Sequence, residues 1–440
     1  MGIFKLLKGK NNILTKGFAS TLIKVFGALA NYLLSYLIAQ KYGAEGNGVF
    51  ALFLTYTVIL STVLYLGLDV YLVKHVSVLM KDSFHGDIKK LYYKILSHYL
   101  IPVSAGLLLI GYGLYIYFDQ ILIVTVALGL IMNVFIDINS AVFRGMKKAE
   151  WYSFFTQFSK YFITIILFLL PILSENQDRI ILVYLLSLFV NGVFSYALLK
   201  INFNKFLVQD NSFIQAKYTL KSLFNSSKEF FFSSILIITL LWIDFIIIDI
   251  YLDEDQAGIY SIALKLSNLV TFSFIAFSAF LAPRISEIHA GGDTKKLQMV
   301  LSQNFILVLP LLVVPALVIF LFAQPLLNLF GEEFKEGWIV LLLLTAAQFV
   351  NGVLGPVSLL LQMTNYQKLF QNILFVTFVI KLILSFVFVS FWGINGIALA
   401  SFIGISLWTI VGSYFIYKKL KVYSWFHVND LKTLYNHYIK

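Results

Sequence analysis

The sequence has 440 residues, of which 60% are hydrophobic and 12% are charged, and its mean hydropathy is +0.86. About a quarter of the residues are charged in a soluble globular protein, so this class is excluded. The absence of cysteine also excludes disulfide frameworks, cysteine-type zinc sites and thiol catalysis. No metal or other cofactor is expected, because the six histidines are scattered without ligand spacing.

Twelve hydrophobic segments are long enough to cross a bilayer as helices, which takes about 20 apolar residues each. They run approximately over residues 14–40, 48–73, 95–118, 121–143, 152–173, 180–200, 231–252, 258–282, 302–323, 338–362, 368–392 and 396–417. The pattern predicts an all-α integral membrane protein with twelve transmembrane helices.

The basic residues predict how these spans are oriented. Of the 33 lysines and arginines, 26 fall in the even-numbered connections, the two termini or the span ends beside them, three in the odd-numbered connections and four deep within spans. By the positive-inside rule, both termini are expected in the cytoplasm. This distribution explains the net charge of +11 without a nucleic-acid partner.

The longest connection, residues 201–230, mixes lysines with phenylalanine and leucine, which is typical of an amphipathic linker on the anionic inner leaflet. It separates an N-terminal six-helix lobe (1–200) from a C-terminal one (231–417), and a cytoplasmic tail (418–440) follows. The turn at residues 43–50 resembles residues 253–260, which lie 210 positions later. An even number of spans per half predicts a parallel repeat, with two lobes around a central cavity.

Four lysines lie deep inside predicted spans, where a charge costs about 2.5–3.5 kcal/mol and seldom faces lipid. They are Lys24, Lys160, Lys265 and Lys381, each on a polar stripe at helical spacing, and Asn31 lies on the stripe of Lys24. These stripes predict a basic, wet cavity whose lysines bind an anionic substrate. The alternative is that each lysine pairs with an aspartate or extends to an interface.

Acidic residues are embedded as well. Asp137 and Arg144 lie seven residues apart on one face of span four, as part of a cavity mouth or of a structural ion network. Asp244, in the middle of span seven, is a candidate for binding a coupling proton or cation, and the alternative is a fixed counter-ion to a lysine. Asp69, near the inner end of span two, is as compatible with a mouth residue as with a cavity residue.

Several motifs resemble a known family. The segments GAEGNGVFAL (43–52), LGLDVYLVKHVS (66–77) and FRGMKKAEWY (143–152), with the stretch 242–287, resemble the polysaccharide-transport branch of the multidrug/oligosaccharidyl-lipid/polysaccharide (MOP) superfamily. This branch includes the Wzx-type O-antigen flippases. The resemblance implies a V of two six-helix lobes that works by alternating access, driven by an ion gradient.

The resemblance also implies a function. It is translocation of undecaprenyl-pyrophosphate-linked oligosaccharide repeat units from the inner to the outer leaflet of a bacterial cytoplasmic membrane, in polysaccharide or lipopolysaccharide biosynthesis. We then expect substrate contacts from one set of residues, namely Lys24, Asn31, Arg144, Lys160, Lys265 and Lys381. We expect coupling to H⁺ or Na⁺ from Asp69, Asp137 and Asp244. Membrane lipids and a polysaccharide polymerase are the expected partners, and no enzymatic activity is expected.

Other functions remain as alternatives. A drug/cation antiporter of the same superfamily would be expected to have an acidic rather than a basic cavity. A lipid II flippase of the superfamily usually has two further spans. A membrane glycosyltransferase or polymerase is disfavoured because the predicted outer loops are too short for an active-site domain.

Overall fold

The computed structural model describes residues 12–65, 67–81, 85–108, 121–170, 178–204, 220–272, 281 and 284–425. Within these ranges every regular element is a helix. Helices α1 to α13 are, in chain order, Asn12–Tyr65, Leu68–Lys81, His85–Ile95, Ile121–Gly145, Ala149–Ser153, Ser159–Leu169, Asp178–Asn204, Leu220–Tyr251, Glu254–Asn268, Thr294–Asn328, Trp338–Val353, Val357–Met363 and Gln367–Leu420.

Short irregular helices join some of these elements. One turn of π-helix, Leu96–Leu100, continues α3 into helical residues 101–108, and another, Phe154–Phe158, connects α5 to α6. The 3₁₀ turn Leu269–Thr271 follows α9, and Glu332–Gly337 precedes α11. Residues 284–290 are also helical.

Seven of the described helical stretches are long and apolar enough to cross a membrane. Two of them are much longer than one crossing requires, with 47 residues in Ala19–Tyr65 and 54 in Gln367–Leu420. A helix rises about 1.5 Å per residue against a hydrocarbon core of about 30 Å, so each is long enough for two spans.

Glycines with positive φ divide these long helices. Gly393 (φ 54°) interrupts α13 between predicted spans eleven and twelve, and Gly43 (φ 66°) interrupts α1 between spans one and two. A Cβ at Gly396 or Gly404 would approach Phe388 or Lys381, so the second half of α13 packs back along the first. The turn predicted over residues 43–50 is confined to Gly43, because the chain is helical again from residue 44.

Other predicted boundaries also shift. Span two does not continue to residue 73, because α1 ends at Tyr65 and Gly67 (φ 74°) precedes α2. Asp69 therefore lies in the first turn of α2. Span seven begins earlier than predicted, since α8 starts at Leu220 within the predicted linker, of which residues 205–219 lie outside the described ranges. Span ten is divided by Gly355 (φ 82°) into α11 and α12.

The chain divides into two compact units. The first comprises Met1–Ile38 with Phe53–Thr239, and the second comprises Ala39–Leu52 with Leu240–Lys440. In the first unit, Phe143, Phe155 and Tyr184 are among the largest fully buried side chains. In the second, Ala44 and Ala51 of α1 are buried in the same core as Ile259 and Tyr260 of α9.

Within the second unit, two helices cross at glycines that the sequence repeat relates. A Cβ at Gly48 would lie 1.7 Å from the Glu254 carbonyl oxygen, and a Cβ at Gly258 would lie 1.9 Å from the Ala44 carbonyl oxygen. Helix backbones approach this closely only where the residues at the crossing are small, so that no bulky side chain separates them. The Glu333 carboxylate fixes the same segment by accepting a 2.6 Å hydrogen bond from the Ala44 amide.

The outer surface of α10 is apolar. Exposed leucines and valines recur every three or four residues, with Leu321 72% exposed. The stripe consists of Leu307, Leu311, Val314, Leu317 and Leu321. An exposed apolar stripe of this length is expected where a helix contacts lipid.

Candidate functional site

A polar cavity of about 330 Å³ lies in the first unit. Its lining includes four of the nine predicted site residues, which the fold brings together from α2, α4 and α6: Asp69, Asp137, Arg144 and Lys160. Two carboxylates and two basic side chains therefore line one cavity of this unit.

Asp137 is held in this cavity by a hydrogen bond from a tyrosine. It lies two turns before Arg144 on α4, and the Tyr65 hydroxyl donates a hydrogen bond to its Oδ2. The charges of Lys160 and Asp69 both act on it. Asp137 is therefore a carboxylate whose neighbours include one cation and one further acid.

Aromatic rings accompany both cations of the cavity. The Arg144 guanidinium lies 5.0 Å from the ring centroid of Tyr152, and the Lys160 ammonium lies 5.1 Å from that of Tyr161. Both distances are within cation–π range. Arg144 remains exposed, so its guanidinium can still contact a ligand.

The polar stripe of span five, on which Lys160 lies, is interrupted by the π-helical turn between α5 and α6. Some of its residues line the cavity, and others bond to neighbouring helices. Gln157 within this turn and Lys160 after it line the cavity. Ser153 instead exchanges a 2.6 Å hydrogen bond with Ser20, and Thr164 donates one of 2.7 Å to Ser187. Part of the stripe thus joins neighbouring helices, as polar residues often do within membranes.

A second polar cavity, of about 310 Å³, lies in the second unit, and its lining includes Asp244 and Lys381. The Lys381 ammonium lies 3.0 Å from Asp244 Oδ2, with the two side chains only 4% and 5% exposed. It also donates a 2.8 Å hydrogen bond to the Leu240 carbonyl. This geometry favours the alternative in which Asp244 is the fixed counter-ion of a lysine.

The two oxygens of Asp244 have different environments. Oδ2 accepts hydrogen bonds from Lys381 and, at 2.7 Å each, from the hydroxyls of Tyr260 and Ser401. Oδ1 is buried and has no hydrogen-bond partner among the described residues. Buried polar atoms are rarely left in this state, so Oδ1 marks a position where a donor can bind.

Three predicted residues do not line either cavity. Lys24 on α1 is partly exposed and close enough to Arg144 for their charges to repel each other. Lys265 on α9 is also partly exposed. The buried side-chain oxygen of Asn31 has no hydrogen-bond partner among the described residues.

The lysines in the spans predicted a cavity with an excess of basic side chains, but the two cavities have balanced charges. The lining of the first includes Asp69 and Asp137 with Arg144 and Lys160, and that of the second pairs Asp244 with Lys381. Each described lining therefore has as many carboxylates as basic side chains.

Several contributing residues were not selected from the sequence. Tyr65 and Tyr152 line the first cavity, and Tyr260 and Ser401 fix Asp244 beside the second. Ser401 lies 157 residues from Asp244, so no local periodicity relates the two. Tyrosines are too frequent, with 25 in the chain, for composition alone to select these three.

Outside the membrane-spanning segments, acidic side chains gather at the turn between α8 and α9. Partial burial and the nearby charges of Asp253, Glu45, Glu333 and Glu254 raise the pKa of Asp255 above its ordinary value. At Glu332, by contrast, the hydrogen bond from Lys335 lowers the pKa of the carboxyl.

The helices and their apolar surfaces define a multi-pass membrane protein, and its fold is that of MOP superfamily transporters. An inward-facing multidrug resistance MATE family transporter of this superfamily has a TM-score of 0.68 at 14% identity, covering 92% of this chain and 98% of the other. An outward-facing MATE structure has a TM-score of 0.59 at 13% identity, covering 92% and 95%. A MOP superfamily transporter from Pyrococcus furiosus, described as having a binding pocket of reverse polarity, has a TM-score of 0.61 at 14% identity. The match covers 93% of this chain and 94% of the other.

The chain belongs to the polysaccharide biosynthesis protein family, whose family model matches residues 13–289. The membership confirms the resemblance to the polysaccharide-transport branch, and the structural neighbours confirm the all-α membrane fold. The chain is also 27% identical over 198 residues to the probable low-salt glycan biosynthesis flippase Agl15 of Haloferax volcanii. That match covers 44% of this chain and 42% of the relative, less than half of the relative's length.

Proposed function

We propose that this protein is a flippase for lipid-linked glycans. Its substrate is an undecaprenyl-pyrophosphate-linked oligosaccharide repeat unit, which moves from the inner to the outer leaflet of a bacterial cytoplasmic membrane by alternating access. The family membership and the similarity to a probable glycan flippase support this substrate class. The fold of MOP superfamily transporters supports transport in place of bond-making catalysis.

The observation that carries the proposal is the position of Arg144 and Lys160 in a cavity of membrane-spanning helices. A pyrophosphate cannot cross hydrocarbon unaided, because an unpaired anion loses its hydration there. A guanidinium can bind phosphate oxygens in bidentate geometry, and a lysine supplies a hydrated point charge. We assign binding of the pyrophosphate to Arg144 and Lys160. Lys24, which lies beside Arg144, is a further cation on the path of the pyrophosphate.

Ion coupling is assigned to the carboxylates of the same cavity. Asp137 and Asp69 lie beside the cations that would bind the substrate, so a proton or Na⁺ on them changes the charge that the pyrophosphate meets. Asp244 is the weaker candidate for a metal cation, because the Lys381 ammonium lies 3.0 Å away and repels it.

The same proposal includes the arrangement in the membrane and the partners. Both termini lie in the cytoplasm, residues 1–200 and 231–417 act as the two lobes, and the connection between them, into which α8 extends from Leu220, lies at the inner leaflet. A polysaccharide polymerase acts on the translocated units in the outer leaflet. In cells with O-antigen, the product enters lipopolysaccharide biosynthesis.

Deletion of the gene in its own host tests this function. Lipid-linked oligosaccharide is expected to accumulate in the inner leaflet and surface polysaccharide to disappear, and both changes should reverse when the wild-type chain is supplied. Unchanged surface polysaccharide, together with increased sensitivity to cationic drugs, would instead identify a drug antiporter.

A further inference from the structure

The cavity of the second unit combines three side-chain amides with two indoles. Asn268, Gln348 and Asn351 line it, as do Trp242 and Trp408, both of which are partly exposed. The rest of its described lining is mostly leucine and isoleucine. A few polar groups on an otherwise apolar wall are the usual composition of a small-molecule site.

The amides are already oriented within this wall. Gln348 donates a 2.9 Å hydrogen bond to the side-chain oxygen of Asn268, and its own side-chain oxygen accepts one of 3.3 Å from Thr271. These bonds fix Gln348 and Asn268 relative to each other across α9 and α11. Asn351 lies one helical turn after Gln348 on α11, so its amide faces the same cavity.

The charges beside the cavity select a neutral ligand. The charges of Asp244 and Lys381 neutralise each other at 3.0 Å. An added anion would be repelled by the carboxylate, and an added cation would be repelled by the ammonium. Asp244 is at least nine-tenths buried, and its Oδ1 has no hydrogen-bond partner among the described residues. A neutral ligand that donates a hydroxyl hydrogen would satisfy this oxygen without adding charge.

We propose that this cavity binds one pyranose ring of the transported glycan, an inference that rests on the proposed function. A ring hydroxyl donates to Asp244 Oδ1, the amides of Asn268 and Asn351 bind further hydroxyls, and the apolar C–H face of the ring packs on Trp408 or Trp242. The volume of about 310 Å³ is at the lower end of ligand sites, which suits a single ring.

Binding of simple sugars to the full chain in detergent tests this assignment. The probes are the methyl pyranosides of glucose, galactose, mannose and N-acetylglucosamine, which differ in the orientation or substitution of their hydroxyls. Saturation-transfer NMR of the sugar protons reports binding. The test variants are Asn351→Leu and Trp408→Leu, and the matched control is Trp392→Leu, which removes an exposed indole of α13 that lines neither cavity. Melting temperatures check that every variant is folded.

At least one pyranoside is expected to bind the wild-type chain, and its affinity should fall about fivefold or more in both test variants, as for loss of one hydrogen bond or ring contact. The control should bind as the wild type does. Absence of binding by all four probes would overturn the assignment, as would binding that both test variants retain. Displacement of a bound pyranoside by inorganic pyrophosphate would instead identify an anion site.

The failure of this inference is distinguishable from failure of the proposed function. If no pyranoside binds but the wild-type gene restores surface polysaccharide in a deletion strain, the flippase function stands and this sugar site does not. If the wild-type gene does not restore surface polysaccharide, the proposed function is wrong, whether or not pyranosides bind.

Discussion

The Lys381 ammonium and the Asp244 carboxylate form a buried ion pair at 3.0 Å, across a sequence separation of 137 residues. Tyr260 and Ser401 donate to the same carboxylate oxygen. The first half of α13 is thereby joined to α8, and the second half is joined to the same point through Ser401. The sequence predicted that Lys381 binds substrate, but its ammonium is paired with a carboxylate inside the second unit.

Removal of the lysine alone should destabilise the protein. Lys381→Ala removes the partner of the buried Asp244 side chain, which costs about 3–5 kcal/mol. We expect a lower Tm of the detergent-purified protein and less of it in the membrane. The measurement is thermal unfolding followed by tryptophan fluorescence.

The matched control removes both charges. In Lys381→Met with Asp244→Asn, the asparagine keeps an oxygen acceptor for Tyr260 and Ser401, so most of the lost stability should return. A Lys381→Ala protein as stable as the wild type would show that the pair contributes nothing to folding.

The two cavity cations should matter for transport more than a lysine outside the cavities. Lys160→Met or Arg144→Met removes a charge-assisted contact worth about 1.5–3 kcal/mol, which corresponds to roughly a tenfold or greater loss of surface polysaccharide export. Lys265→Met should retain most of the export, because Lys265 lines neither cavity. Export is measured in a deletion strain and normalised to the protein in the membrane; equal losses in all three variants would contradict the assignment of the pyrophosphate to Arg144 and Lys160.

The helix crossing at Gly48 should not accept even one methyl group. Gly48→Ala places its Cβ 1.7 Å from the Glu254 carbonyl oxygen, so the helices must separate and the Tm should fall by several degrees. Gly106→Ala is the matched control: a Cβ there has no neighbour within 4 Å, and alanine in a helix is favoured over glycine by about 0.5–1 kcal/mol. A Gly48→Ala protein as stable as the control would contradict the crossing.

The acidic cluster predicts a small pH dependence of stability. A carboxyl whose pKa is higher in the folded than in the unfolded chain contributes stability at low pH, and this contribution is lost as the pH rises through the raised pKa. Asp255→Asn should therefore raise the Tm at pH 7 by about 1 °C, since exposed charges are screened, and the difference should shrink on acidification. Glu287→Gln, an exposed acid outside the cluster, should leave the Tm unchanged; an equal gain there would indicate a net-charge effect.

Much of the fold could be predicted because lipid requires backbone hydrogen bonds to be satisfied within helices. Apolar length therefore located segments such as α4 and α7 within a few residues of their observed ends. The breaks were harder to place. Gly43, Gly67, Gly355 and Gly393 all have positive φ, but most of the other glycines in the described ranges do not, and composition does not distinguish the two groups.

The candidate sites could be predicted only in part. The stripes indicated that Lys160 and Lys381 turn away from lipid, and both line cavities. They could not show that Lys381 pairs with Asp244 or that Lys265 lines neither cavity, because those environments depend on contacts between distant segments. The π-helical turn Phe154–Phe158 also changes the helical register between Ser153 and Lys160, which a constant period of 3.6 residues cannot anticipate.

Reconstituted translocation tests the central proposal most directly. Lipid-linked oligosaccharide is extracted from a host strain that lacks this protein, placed with the purified chain in liposomes, and followed by the access of an externally added glycosidase. An imposed pH gradient supplies the driving force. We predict that the wild-type chain moves the lipid faster than protein-free liposomes do, that Lys160→Met slows this movement about tenfold or more, and that Asp137→Asn removes its dependence on the gradient. Lipid movement at the protein-free rate would contradict the flippase function, and equal movement by wild type and Lys160→Met would contradict the pyrophosphate site.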